Sequence, residues 1–122
     1  MACILVIDDQ PMNLDLVEYV MLKAGHTVMT ADSAEMGFAR MAECRPDLIL
    51  MDIQMPGMDG LEMTRRLKAA QVTRDIVVVA LTAYAMKGDE QRMMEAGCDG
   101  YLAKPINVRT FADQVAHWLP AA

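Results

Sequence analysis

Three runs of the chain are almost wholly apolar and rich in β-branched residues: Ile4-Leu5-Val6-Ile7, Leu48-Ile49-Leu50-Met51 and Ile76-Val77-Val78-Val79-Ala80-Leu81. None alternates between apolar and polar residues, as a strand with one face in water would. Both faces of these strands must therefore be covered, which is the situation of central strands in a parallel sheet. Two weaker runs, Thr27–Ala31 and Gly100–Ala103, suit flanking strands.

Helical patterns fill the gaps. Pro11 suits a first helical turn, where its missing N–H costs nothing. Leu14, Val17, Met21 and Ala24 then share a face, and Gly25 suits a left-handed stop. Asp32 with Glu35 predicts a capping box, and the helix behind it runs to about Cys44, with Pro46 barring its continuation. A third helix follows Gly60 with Leu61, Thr64 and Leu67 inward. A fourth runs from about Lys87 to Glu95, stopped by Gly97. Asn107 is placed to cap a fifth, along which Phe111, Val115, Trp118 and Leu119 form a stripe.

The order is strand then helix, five times over. Crossovers between parallel strands are right-handed, so helices cover both faces of one sheet and a three-layer α/β domain results. In such a sheet the ligand site lies beyond the carboxyl ends of the strands, where the strand order reverses.

A chain of 122 residues fits one domain, and 54% hydrophobic with 23% charged residues makes it globular. No apolar run approaches the roughly 18 residues of a membrane span. The first apolar stretch has no basic segment ahead of it and is interrupted by Asp8 and Asp9, so it does not read as a signal peptide. With 17 acidic and 11 basic residues, net charge −6, the chain lacks the basic footprint of direct nucleic-acid binding. Cys3, Cys44 and Cys98 have no CxxC spacing and read as free thiols of a reducing, cytoplasmic compartment.

The residues after each strand carry the chemistry. Asp8 and Asp9 follow the first, Asp52 ends the third, Thr82 follows the fourth and Lys104 follows the fifth. Singly, each has a plain role: an Asp or Thr there caps or turns the chain, and a loop Lys is solvated. Together they bring three carboxylates, a hydroxyl and an ammonium to one sheet edge. The carboxylates repel, and one lysine leaves about two negative charges uncompensated. Either one carboxyl keeps a proton or a hard, oxygen-preferring divalent cation binds, of which Mg²⁺ fits best. His26 and His117 are isolated and offer no zinc site. A carboxylate beside such a cation and a lysine is a competent phosphoryl acceptor. Thr82 could then donate to a phosphoryl oxygen only in the phosphorylated state, and so bias a conformational equilibrium.

In these features the chain resembles the response-regulator receiver domains of bacterial two-component systems. The resemblance is carried along its whole length by Ile7-Asp8-Asp9, by Leu50-Met51-Asp52-Ile53-Gln54-Met55-Pro56-Gly57-Met58-Asp59-Gly60, by Ala80-Leu81-Thr82-Ala83, and by Tyr101-Leu102-Ala103-Lys104-Pro105. It implies a flavodoxin-like (βα)5 fold with a parallel five-stranded sheet of order 2-1-3-4-5. It implies that Asp52 is the phosphoacceptor, that Asp9 and the backbone carbonyl of Gln54 join Asp52 as Mg²⁺ ligands, and that Asp8 acts through metal-bound water. Lys104 would grip the phosphoryl group. Thr82 would be the hydroxyl that moves towards it, with Tyr101 the aromatic that turns inward behind it. The Lys104–Pro105 bond is expected to be cis, and Gln54 and Tyr84 to tune phosphate lifetime. Chemistry would be limited to Mg²⁺-dependent self-phosphorylation and autodephosphorylation, without turnover of a substrate.

The stretch from Ala85 to Arg92, continuing through Ala96-Gly97-Cys98-Asp99-Gly100-Tyr101, is similar to stand-alone cell-division and cell-cycle regulators, and also to receivers fused to hybrid histidine kinases. A single receiver domain over 1–122 with no output domain is the expectation; a receiver excised from a hybrid kinase is the alternative. Output would be protein contact with a downstream target on the face of the fourth helix, fifth strand and fifth helix, where Met86, Met93 and Met94 lie. The resemblance implies a histidine kinase or histidine phosphotransfer protein as phosphodonor, docking near Met12, Leu14 and Ile106. Three rivals share features of the chain. An aspartyl-phosphate hydrolase would want an acid/base Asp where Gln54 stands. A dinucleotide-binding protein would want glycines after the first strand, where Asp8-Asp9-Gln10-Pro11-Met12 has none. The third, an interaction module with a purely structural carboxylate cluster, is separated only by a chemical assay.

Overall fold

In the computed structural model, residues 2–53, 59–83, 87–104 and 106–119 are described, 87–89 by backbone alone. Five strands, β1 (Cys3–Ile7), β2 (Thr27–Ala31), β3 (Leu48–Asp52), β4 (Val77–Thr82) and β5 (Gly100–Ala103), alternate with five helices. These are α1 (Pro11–Lys23), α2 (Ala34–Glu43), α3 (Gly60–Ala69), α4 (Lys87–Ala96) and α5 (Phe111–Ala116). All neighbouring strands run parallel, in the order β2-β1-β3-β4-β5 that the receiver resemblance implies.

The non-alternating runs are buried on both faces, and their residues divide by parity. Leu5, Ile7, Ile49, Met51, Val78 and Ala80 pack towards α2, α3 and α4. Ile4, Val6, Leu48, Leu50, Val79 and Leu81 pack towards α1 and α5. Ile4, Leu5, Val6, Ile7 and Leu48 to Met51 have no exposed surface. Water cannot compete for their ladder hydrogen bonds, and the strands form a rigid frame for the residues beyond their carboxyl ends.

The helix ends follow local chemistry, with three departures from expectation. Gly25 and Gly97 adopt positive φ (95° and 103°) beyond α1 and α4, as stop signals should. Within α1, Val17, Val20 and Met21 are buried, but Ala24 is exposed as the C-cap. The cap of α2 is Ser33, whose Oγ accepts from Met36 N at 3.1 Å, rather than Asp32. This start brings Ala34 and Gly37 onto the buried face, and burial decides between two adjacent residues of equal capping ability. Cys44 lies just past that helix, in extended conformation. Finally, α5 is only six residues long. The Asn107 side chain accepts from Arg109 N at 2.9 Å and so caps a turn ahead of the helix. The apolar stripe still continues, because i to i+3 bonds from Trp118 N and Leu119 N carry both residues against the α1–α5 side of the core. Among the described residues, no helix is long and apolar enough to cross a membrane.

Candidate functional site

The sheet register brings the charged residues together. Ile7 pairs with Met51, Asp52 with Leu81 and Thr82 with Ala103, so β1, β3, β4 and β5 end at nearly one level. Next to that edge lie Asp8, Asp9 and Lys104. The strand order reverses between β1 and β3, and Asp8 and Asp52 flank that point.

Asp8 is fully buried and Asp52 is 3% exposed. Burying two carboxylates is costly unless each is paired. Lys104 supplies the pairing: its Nζ lies 3.2 Å from Asp8 Oδ2 and 3.4 Å from Asp52 Oδ1. Lys104 N donates to Thr82 O at 2.7 Å, which fixes the start of the loop that carries the ammonium. The second oxygen of Asp8 accepts from Gln10 N at 2.9 Å, and Asp8 N donates to Ala31 O at 3.1 Å. Asp8 is thus held by β2, by the start of α1 and by the lysine.

Asp9 completes the group. Ligand oxygens of Asp8, Asp9 and Asp52 all lie within 4.8 Å of one another. Asp9 is more open to solvent than the other two. Three carboxylates and one ammonium leave about two negative charges in one crevice, which is the electrostatic demand of a hard divalent cation. The all-oxygen donor set agrees with such an ion. Both Asp8 oxygens are engaged within the protein, whereas Asp9 is the most solvent-accessible carboxylate of the three.

Thr82 is 1% exposed at the end of β4. Strand parity turns it to the α3–α4 side, with Val78 and Ala80. Tyr101, the register partner of Ala80, is half-buried on that same side. Thr82 and Tyr101 therefore share a face, one step apart on neighbouring strands. Met93 is fully buried in the core below them, which removes it from the expected contact surface; Met94 is exposed. Gln54, Tyr84, Met86 and Pro105 lie outside the described residues, and with them the expected carbonyl ligand, the expected lifetime positions and the expected cis bond.

Gly60 has a role that its place in the sequence does not announce. A Cβ there would overlap the carbonyl oxygen of Asp52 and lie 2.8 Å from both Ile53 Cα and Met51 Cγ. The first turn of α3, capped by Asp59 Oδ1 accepting from Glu62 N at 2.9 Å, therefore rests directly on the backbone of the strand that ends in Asp52. The only signal in the sequence is a glycine at the first helical position, where most residues are tolerated.

Residues 4–116 match the family described as the response regulator receiver domain. The polar-differentiation response regulator DivK of Brucella anthropi is 42% identical over 118 residues, 95% of this chain and 94% of that protein. The protein of the same name from Brucella ovis is 38% identical over 116 residues, with the same coverage. Among solved structures, chemotaxis protein CheY4 of Vibrio cholerae superposes with a TM-score of 0.92 at 27% identity, covering 98% of this chain and 99% of that one. The signal receiver domain of a histidine kinase from Syntrophus aciditrophicus gives 0.88 at 28% identity, covering 98% and 90%.

Proposed function

The chain belongs to the response-regulator receiver family, and on that premise we propose that it is a phosphorylation switch with Asp52 as the acceptor. The observation that carries this reading is the Lys104 ammonium set between two buried carboxylates, with a third carboxylate beside them.

In this reading an oxygen of Asp52 attacks the phosphorus of a phosphohistidine on a histidine kinase or phosphotransfer protein. The phosphorus–nitrogen bond breaks, and its electron pair returns to the imidazole. Lys104, already 3.4 Å from Asp52 Oδ1, offsets charge on the incoming phosphoryl oxygens. Asp9, Asp52 and the carbonyl of Gln54 would hold Mg²⁺, with Asp8 holding its water. The ion supplies charge neutralisation on the transferring group. Asp8 also keeps the lysine aimed into the crevice when Asp52 loses its negative oxygen.

The phosphorylated side chain carries about two negative charges where there was one. The Thr82 hydroxyl then donates to a phosphoryl oxygen, a contact available only after phosphorylation, and its movement opens space on the α3–α4 side for Tyr101. A partner reads the resulting change on the α4–β5–α5 face. Met94, 53% exposed, belongs to that surface. The donor docks beside the crevice, where Met12 is 83% exposed and Leu14 and Ile106 are half-buried. An Ile106→Asp variant that accepts phosphate from its kinase at the wild-type rate would remove this docking surface. The likeness to polar-differentiation regulators supports a single-domain role, 1–122, in cell-cycle or polarity signalling, and a cytoplasmic location goes with this reading.

Beryllofluoride, a stable phosphoryl mimic, tests the switch. With Mg²⁺ it should shift the amide resonances of Thr82, Ala83, Tyr101, Leu102 and the α4 residues, and an Asp52→Asn variant should show none of these shifts. Shifts confined to residues touching Asp52 would leave a cation site without a switch.

A further inference from the structure

At the opposite edge of the sheet lies a second arrangement of reactive side chains. Cys3 opens β1, and Cys44 follows α2. The two are 41 positions apart, yet their Sγ atoms are 4.0 Å apart. The backbone holds them there. Cys3 N donates to Asp47 Oδ2 at 2.8 Å, and Asp47 N donates to Cys3 O at 2.8 Å. Both polar groups of the Cys3 backbone are thus tied to a residue three positions beyond Cys44. Cys44 N donates to Arg40 O at 3.0 Å, which fixes the other half of the pair to the end of α2. The extended conformation of Cys44 (φ −154°, ψ 125°) brings the chain back to β3.

We propose that Cys3 and Cys44 form a reversible intramolecular disulfide by exchange with a small disulfide such as oxidised glutathione. A disulfide needs sulfurs about 2 Å apart. The proposal requires the remaining closure of about 2 Å to come from rotation about the two Cα–Cβ bonds.

Exposure assigns the order of events. Cys44 is exposed and Cys3 only partly so. Cys44 loses its proton and attacks one sulfur of oxidised glutathione; the disulfide bond breaks, and one glutathione leaves as a thiolate that takes up a proton. Cys3 then loses its proton and attacks Cys44 Sγ, expelling the second glutathione. Two protein thiols are oxidised and one glutathione disulfide is reduced to two glutathiones. The second step is the slow one at neutral pH. While Cys44 is still a thiol, burial first, then the Cys44 side chain and the Asp47 carboxylate, push the Cys3 thiol up to about 11; burial and Asp47 remain once Cys44 carries glutathione, and they keep the Cys3 thiol raised. Cys98, 3% exposed in the core, takes no part.

The cross-link encloses β1, α1, β2 and α2, and it lies a full strand length from Asp52. It ties the amino ends of the frame and leaves the carboxyl edge free. The oxidised protein therefore retains its acceptor chemistry while resisting unfolding.

The test uses the full chain, incubated with oxidised glutathione at pH 7 and pH 9. Free thiols are then quenched by alkylation, and peptides are mapped by mass. The expected product is a Cys3–Cys44 peptide pair lighter by two hydrogen atoms. It should form about tenfold faster for each pH unit, disappear on reduction, and be absent from the Cys44→Ser variant. The denaturation midpoint should rise on oxidation and return with reductant. A protein that carries glutathione on Cys44 with Cys3 still alkylatable at pH 9, or glutathione on both thiols, would overturn the proposal.

Discussion

Replacing Gly60 with alanine should strike stability and acceptor chemistry together. Gly60 does not have positive φ, so alanine suits the backbone, and the reduced freedom of the unfolded chain favours it by about 0.7 kcal/mol. Against this stands the contact of α3 with β3. The added methyl would overlap the Asp52 carbonyl oxygen and press on Ile53 Cα and Met51 Cγ. Two of these three atoms are backbone, and they belong to a strand buried on both faces and to its continuation. Relief requires displacing α3 or the end of β3, and overpacking of this kind costs about 3 kcal/mol, the upper part of its usual range. The net loss is about 2 kcal/mol. Unfolding entropy of roughly 2.1 cal/mol/K per residue over this chain makes that a fall of about 8 °C in Tm.

Gly37→Ala is the matched control. The atoms its methyl would meet are Ile7 Cδ1 at 2.7 Å and Met63 Cε at 3.0 Å, both ends of flexible side chains. Its position inside α2 also favours alanine over glycine by about 1 kcal/mol. Its stability should stay within about 1 kcal/mol of the parent. Urea unfolding of the three proteins decides the matter, with acetyl phosphate labelling measured alongside. Should Gly60→Ala prove as stable as Gly37→Ala, the claim that α3 rests on the acceptor strand is wrong.

Burial also sets the outcomes for two neighbouring methionines and one histidine. Met93→Ala should cost about 3 kcal/mol in urea unfolding, because it leaves a cavity in the core. Met94→Ala should cost less than about 0.5 kcal/mol while weakening partner binding; equal costs would contradict the assigned faces. His26 is held below its ordinary 6.5 by burial first and by the chain's amino terminus second, and its Nδ1 accepts from Ala2 N at 3.3 Å. A lowered folded value means that the unfolded chain takes up the proton first. The stabilisation is therefore complete above pH 6.5 and is lost as pH falls below it. His26→Gln should flatten this acid-side slope in denaturation midpoints recorded from about pH 7.5 to 5, and an unchanged slope would place the titration elsewhere.

The frame and the charged edge were legible in the sequence for one physical reason. Runs such as Leu48–Met51 do not alternate because both faces are buried, so they announce central strands without help from neighbours. Once five strands are parallel, their carboxyl ends share an edge, and Asp8, Asp9, Asp52, Thr82 and Lys104 meet there by topology. What the sequence withheld depends on docking between distant segments. Asp32 and Ser33 cap equally well, and the burial of Ala34 and Gly37 chose between them. The stripe from Phe111 to Leu119 hid the early end of α5, because a tighter turn delivers Trp118 to the core as well as a helix would. Met93 and Met94 are adjacent and chemically identical, and only the pose of α4 separates core from surface. Neither the approach of Cys3 to Cys44 nor the pressure of Gly60 on Asp52 has any local signature.

The most direct measurement of the central claim is the intact mass of the protein after incubation with acetyl phosphate and Mg²⁺. One added phosphoryl group is expected on the wild-type chain, and none on Asp52→Asn or in the presence of chelator. Phosphoryl addition that survives Asp52→Asn would contradict the account, as would a wild-type chain that neither gains the group nor responds to beryllofluoride.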